Sequence, residues 1–263
     1  MAIIKTTIFL ILLLKKDIVV GLGEIGLPIY KIISKVFPTY GFDIDSAKIP
    51  HYKKDLESYS TRFLHVCIPY NKNFLNNVTK LNKKFLPEAI IIHSTIKPET
   101  TEKIQKKSSI PILYSATRGI HKRMIHDMKR YTKFFAVNPK IKNSLSVSKQ
   151  YTKLMTKCGI KTKKVSNPIT LELSKIICDT SYYGWLINYA QMSKIISEKY
   201  GVDYDEMWSF SDEIHKFLGN RPKLFPGFIG GHCVIPNLEL INEKSLNQID
   251  QINNIFKSFQ NKK

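Results

Sequence analysis

Along the first two-thirds of the chain, short apolar runs alternate with longer amphipathic or polar segments. The runs occupy residues 17–20, 40–42, 63–68, 89–92, 110–114 and 133–137. Runs of this length predict buried strands, and the segments between them are long enough for crossover helices. The pattern predicts an α/β fold, a doubly wound parallel sheet of the Rossmann type. Residues 25–36, after the first strand, carry apolar positions at helical spacing. From about Asn167 the rhythm changes. Residues 169–200 predict one long helix and residues 204–217 another, with no further strand signal, so an all-helical domain follows the sheet. The expected organisation is an apolar and basic extension (1–16), a Rossmann domain (17–166), a helical domain (167–242) and a lysine- and asparagine-rich polar tail (243–263). No internal repeat or extended low-complexity segment is evident.

The first strand runs directly into Gly21-Leu22-Gly23-Glu24-Ile25-Gly26. In a strand-turn-helix setting this spacing makes a dinucleotide-binding turn. Gly21 permits the tight bend, Gly23 lets the backbone approach a pyrophosphate, and Gly26 lets helix and strand pack closely. The helix N-terminus, with Glu24 and Ile25 leading into it, then offers N–H groups to the phosphates. Asp43 ends the second strand, seventeen residues after Gly26, where a carboxylate accepts hydrogen bonds from the adenine ribose and repels a 2′-phosphate. The expected cofactor is therefore NAD rather than NADP.

The formal charge of +20 raises the question of a polyanionic partner. Only five of the 41 basic residues are arginines, and the lysines are scattered without interleaved aromatics, so no nucleic-acid groove is expected. Cys67, Cys158, Cys178 and Cys233 show neither a paired motif nor metal-ligand spacing, which disfavours a disulfide scaffold and a metal site and points to a reduced, cytoplasmic protein. The apolar run 8–14 between Lys5 and Lys15-Lys16 is shorter than the about 20 residues needed to span a bilayer. No small-residue cleavage site follows it, so neither secretion nor membrane insertion is expected.

Cys233 closes Phe225-Pro226-Gly227-Phe228-Ile229-Gly230-Gly231-His232-Cys233. A reactive thiol needs a cation or oriented N–H groups and room for a carbonyl carbon, and the glycines of this loop provide close approach. Cys67 falls within a strand and Cys158 and Cys178 on helices, where packing roles are expected.

Together with Gly-Phe-Asp at Asp43, Ser94-Thr95 after the fourth strand and Leu171-Glu172-Leu173-Ser174-Lys175 at the start of the long helix, the glycine turn and the Gly-Gly-His-Cys loop occur in the order seen in the UDP-glucose/GDP-mannose dehydrogenase family. The resemblance covers roughly residues 17–240. It implies oxidation of a sugar's primary alcohol to a carboxylate with two NAD, by an oxidoreductase acting on CH–OH donors. It assigns Cys233 as nucleophile, Lys175 as the cation opposite the developing oxyanion, and Thr95 as a neighbour of the nicotinamide and the catalytic water. It also implies a homodimer built on the long helix, where Tyr182, Tyr183, Trp185, Leu186, Ile187 and Tyr189 crowd together. Arg118, His121 and Arg221 are candidate contacts for a sugar-like, anionic substrate. Three departures stand out. Asn237 occupies the place of a family aspartate, Asp179 that of an asparagine, and Thr117 that of a glutamate linked to thioester hydrolysis; neither Asn nor Thr is an effective base at neutral pH. Asp179 is the candidate replacement carboxylate. Only 30 residues follow Cys233, so the family's second, nucleotide-holding domain is expected to be missing or supplied by another chain.

Overall fold

The structure is a computed structural model that describes residues 14–50, 58–241, 244 and 246–261. The apolar run 8–14 lies outside these residues apart from Leu14. The chain forms two compact units, one ending at Glu172 and the other beginning at Leu173.

The first unit is built on seven strands: β1 (Lys15–Val20), β2 (Thr39–Phe42), β3 (Ser60–Val66), β4 (Ala89–Ile92), β5 (Ile112–Tyr114), β6 (Lys133–Val137) and β7 (Thr162–Lys164). Their order in the sheet is β2-β1-β3-β4-β5-β6-β7. Neighbours are parallel except β5 and β6, which run antiparallel with Leu113 opposite Val137. The sheet is the doubly wound, mostly parallel one expected, with this single antiparallel pair. Residues 115–132 link β5 to β6 through a 3₁₀ turn (His121–Arg123) and a short helix, α4 (Met124–Arg130), and the chain returns antiparallel.

Alternation along each strand divides the sheet's side chains between two cores. Val19, Phe63, Ile91, Leu113 and Phe135 face one way, against α1 (Gly26–Ile33), α4 and α5 (Ser144–Lys157). Ile18, Leu64, Val66, Ile90, Ile92 and Tyr114 face the other, against α2 (Phe74–Phe85) and α3 (Thr100–Gln105). Residues buried on both faces explain why the strands read as continuous apolar runs. Across the sheet start, buried Asp17 accepts from Arg62 Nε at 2.9 Å and Nη2 at 2.6 Å, while the guanidinium covers the Phe37 ring at 3.6 Å. With β1 between β2 and β3, the winding direction reverses beside β1, and the crevice beyond the carboxyl ends of β1 and β3 is the ligand position of such sheets.

Two boundaries differ from expectation. β1 begins at Lys15, inside the predicted extension, because Lys15 and Lys16 pair with Ser60 and Thr61. β7 has no sequence signal: its three residues, Thr-Lys-Lys, line the sheet edge and need no apolar pattern.

The second unit is helical. The predicted helix 169–200 is α6 (Pro168–Ser174), a π-helical stretch (Lys175–Ser181) and α7 (Tyr182–Lys199). After α8 (Tyr204–Leu218), the cysteine loop and α9 (Ile235–Leu238) comes α10 (Asn247–Gln260). Helix α10 corrects the expectation of a polar tail at 243–263. Its Ile249, Asn253 and Phe256 recur at helical spacing and are buried, Ile249 packing with Ile176, Ile229, Val234 and Leu238. The polar composition belongs to its outer face. Among the described residues no helix is long and apolar enough to cross a membrane.

Candidate functional site

The glycine turn adopts the geometry its spacing predicts. Gly21 leaves β1 with φ +86°, and a Cβ there would meet the Cys67 carbonyl oxygen at 2.9 Å. A Cβ on Gly26 would fall 1.7 Å from the Gly21 oxygen, so the turn and α1 approach as closely as two backbones can. At Gly23 nothing lies within 4 Å of a built Cβ, which leaves the backbone open to a ligand. Ile25, half-buried, packs against the first core, and Glu24 pairs with His121 Nδ1 at 2.9 Å. The first turn of α1 carries no acidic side chain, so its N–H groups present an uncompensated positive end. These features suit a pyrophosphate.

Asp43 holds the turn directly. Its Oδ2 accepts from Leu22 N at 2.6 Å and its Oδ1 from Asp45 N at 2.9 Å. Partial burial acts to raise its pKa, but the hydrogen bonds from Asp45 and Leu22 and the charge of Lys48 outweigh it and hold the carboxyl below its usual range. An ionised carboxylate at the end of β2 retains acceptor capacity for ribose hydroxyls.

Thr95 is half-buried in the loop after β4, where Ser94 Oγ donates to Ile68 O at 2.6 Å. That loop is fixed by Glu172, to which the sequence reading assigned no role. Fully buried, it accepts from Glu99 N at 2.6 Å, Thr101 N at 2.9 Å and Thr101 Oγ1 at 2.5 Å, and these bonds accompany the left-handed φ of +69° at Glu99. Burial pushes its pKa up, against the pull of these donors. Thr117 is buried, and its hydroxyl accepts from Lys133 Nζ at 3.0 Å, as does Ser115 O at 3.0 Å. Lys133 is a second residue that sequence reasoning missed, because a lysine in a strand of a lysine-rich chain carries no signal. Burial, then the Lys133 charge, keeps neighbouring His93 well below the usual histidine pKa; His93 Nδ1 lies 3.1 Å from Ser115 O and therefore bears the proton.

In the second unit, Lys175 and Asp179 form an ion pair within the π-helical stretch, the lysine side chain 13% exposed and the carboxylate 42%. π-Helical turns recur at functional sites because the extra residue redirects side chains. Cys178 is exposed there, which corrects its expected packing role; Cys67 and Cys158 are inert, burial pushing their thiols up to about 12 and about 11. Cys233 is exposed at the end of its loop, two residues after Gly231, which has φ +74°. Asn237 Nδ2 donates to the Cys233 carbonyl at 2.6 Å and thus fixes the loop end. Of the substrate candidates, Arg118 donates to Thr132 O at 2.8 Å and lies over Phe134, His121 is paired with Glu24, and Arg221 bonds Asn220 Oδ1 at 2.9 Å. The structure thus gathers Lys175 with Asp179, Asn237 with Cys233 and Asp43 with the glycine turn.

No protein-family model matches the chain. Protein CapL of Staphylococcus aureus is 24% identical over 82% of this chain, which spans 59% of CapL's length. Among solved structures, UDP-D-ManNAc dehydrogenase from Pyrococcus horikoshii superposes with a TM-score of 0.76 at 19% identity, over 93% of this chain and 69% of that one. A GDP-mannose dehydrogenase from Pseudomonas aeruginosa gives 0.58 at 16% identity, covering 94% and 67%. A 3-hydroxyisobutyrate dehydrogenase from Mycobacterium tuberculosis gives 0.65 at 14% identity, covering 94% and 93%. The chain carries the fold of the larger part of the nucleotide-sugar dehydrogenases, the group its motifs resemble.

Proposed function

We propose that the chain is an NAD-dependent dehydrogenase of the nucleotide-sugar type, oxidising a primary alcohol or aldehyde of a sugar-like, anionic substrate through Cys233. The observation that carries this reading is the glycine turn, closed at Gly21 and Gly26, open at Gly23 and tied through Leu22 N to the ionised Asp43. The same family's lysine helix and cysteine loop follow it in order.

The turn and the N-terminus of α1 would hold the pyrophosphate of NAD, and Asp43 the adenine ribose. When bound, NAD supplies the hydride acceptor. Cys233 adds to the aldehyde carbon, retains it through the second oxidation as a thioester, and is released by water. Lys175 offsets negative charge on the substrate oxygen, a role worth most where positive charge is already in place. Thr95 orders the water. Neither Thr117, held by Lys133, nor Asn237, held to the Cys233 carbonyl, is an effective base, which leaves deacylation to the carboxylate of Asp179, itself paired with Lys175. Formation of two NADH per acid, across a panel of sugar nucleotides and sugar acids, tests the reading. One NADH per product favours a two-electron dehydrogenase, supported by the end-to-end match to the hydroxyisobutyrate enzyme's fold. Tight NAD binding without turnover indicates a cofactor-binding subunit.

Asp43→Ala is expected to weaken NAD by about 1–3 kcal/mol, the scale of hydrogen bonds to a charged group, and to narrow the preference over NADP. Calorimetric titration with both cofactors checks this; unchanged affinity would move the ribose elsewhere.

A homodimer is expected, in a reduced, cytoplasmic setting that agrees with four free cysteines. Tyr182, Trp185, Tyr189, Met192 and Ile196 recur at three- and four-residue intervals on α7 and are each at least 36% exposed. They form a continuous apolar stripe of the kind that seeks a partner helix. Light scattering at micromolar concentration would remove this expectation by returning a monomeric mass.

A further inference from the structure

The Cys233 loop has little regular structure of its own, and six of its nine residues are Gly, Pro or Phe, all of them but Pro226 exposed or half-buried. Isolated, such a segment samples many conformations. Its backbone is nevertheless hydrogen-bonded to a buried amide cluster. Asn253 on α10 accepts from Ile229 N at 2.8 Å through Oδ1 and donates to Ile229 O at 3.0 Å through Nδ2, a two-bond pairing like that of one residue in an antiparallel ladder. Gln191 on α7 donates from Nε2 to Gly227 O at 2.7 Å and to Asn253 Oδ1 at 3.1 Å. Asn188 donates to Gln191 Oε1 at 2.8 Å and Ile249 O at 3.2 Å, fixing which way the glutamine amide points. Gln191, Asn188 and Asn253 are at most 1% exposed. Ile229, the residue gripped by Asn253, is itself buried against Ile176, the neighbour of Lys175 on the π-helical stretch.

We propose that Asn253, supported by Gln191, is a positioning residue for Cys233: it clamps Ile229 from α10 and so sets where the thiol stands. The C-terminal helix is then part of the thiol's setting. Three buried amides are an unusual choice for a helix interface that Leu or Ile would fill, since amides are retained at low cost only when each finds specific partners. Here three of their six hydrogen bonds go to the loop, and the other three join the amides to one another and to Ile249 O on α10. The amide is suited to the task because Asn presents a donor and an acceptor side by side, the pair that a single residue's N–H and C=O require. An aspartate of equal volume keeps only the acceptor. The catalytic consequence rests on the proposed role of Cys233; the clamp itself does not.

The test uses the full chain with Asn253→Ala and Asn253→Asp, measuring amide hydrogen exchange and iodoacetamide labelling of Cys233 relative to Cys178. Exchange at Ile229 is expected to accelerate about tenfold or more in Asn253→Ala while the amides of α8 keep their protection, because local opening needs far less free energy than global unfolding. Asn253→Asp still accepts from Ile229 N, and its lost donor to Ile229 O is read in the labelling ratio. The Cys233 to Cys178 labelling ratio should change about threefold or more, since thiol reactivity follows the local N–H groups and access. A general loosening of the helical unit would instead raise exchange across α7, α8 and α10 together. Should the alanine variant fail to fold, the aspartate variant, which lacks the donor to Ile229 O, carries the labelling measurement. Ile229 protection retained in Asn253→Ala, or an unchanged labelling ratio in either variant with the fold intact, overturns the clamp. A lowered kcat for acid formation at unchanged KM ties the clamp to catalysis; altered exchange and labelling in a protein without thiol-dependent turnover upholds the clamp and rejects the proposed function alone.

Discussion

Cys233→Ser is expected to lower acid formation by about three orders of magnitude or more, the scale of losing a covalent nucleophile, while leaving NAD affinity unchanged. A serine hydroxyl is a far weaker nucleophile at neutral pH than a thiolate, and Asn237, engaged with the loop carbonyl, is not basic. Reduction of an aldehyde, which needs the cofactor and Lys175 and not the thiol, should survive in the variant. The wild-type protein, with Thr117 held by Lys133 in place of a carboxylate, is expected to accumulate the thioester. Intact-mass measurement after incubation with NAD and aldehyde would show the acyl adduct on Cys233, and Asp179→Asn should increase it if that carboxylate drives hydrolysis. Full activity in Cys233→Ser, with no adduct in the wild type, would leave the two-electron dehydrogenase as the reading.

The parts of the site visible in the sequence are those whose chemistry requires a rare residue or an unusual spacing. Gly21, Gly23 and Gly26 stand out because a side chain at two of them would collide with backbone, and Asp43 because the second strand ends on a carboxylate. The supporting residues do not stand out. Glu172, Lys133, Gln191 and Asn253 are common polar residues whose roles follow from burial and partners, and neither is written in local sequence. A trace of α10 was present nonetheless: Ile249, Asn253 and Phe256 share a helical face, with an amide where an apolar residue is usual. The lysine and asparagine content around it masked the periodicity.

For the fold, the buried strands β1 to β6 were legible because both faces of each are covered, whereas β7 lies at an edge and the reversed direction of β6 leaves no mark on its apolar pattern. The π-helical stretch was illegible for a further reason. Lys175-Ile176-Ile177-Cys178-Asp179-Thr180-Ser181 has ordinary helical composition, and Thr180 and Ser181 turn their hydroxyls back onto Lys175 O at 3.2 Å and Ile177 O at 2.8 Å. Such back-bonding competes with regular helical geometry, and it becomes visible only when the surrounding turns are in place.

Gly26→Ala should be the most damaging single methyl group in the chain. The added Cβ would stand 1.7 Å from the Gly21 oxygen and 2.8 Å from its carbonyl carbon, with the Cys67 Cβ at 3.0 Å. Backbone atoms on two sides cannot yield as a flexible side chain would. Either the turn opens, pulling Leu22 N from Asp43, or α1 lifts from β1 and loses the packing of Ile29, Ile32 and Ile33. Overpacking of this severity costs about 3 kcal/mol or more. For a unit of this size that corresponds to a fall in Tm of about 6–12 °C. Gly23→Ala supplies the contrast, because its Cβ meets nothing within 4 Å. The apo protein should melt within a degree or two of wild type, yet NAD should bind about tenfold or more weakly, since the methyl group occupies space reserved for the pyrophosphate. Thermal unfolding with and without NAD separates the two effects. A stable Gly26→Ala protein would refute the close approach, and a Gly23→Ala protein with wild-type NAD affinity would reduce the turn to a structural bend.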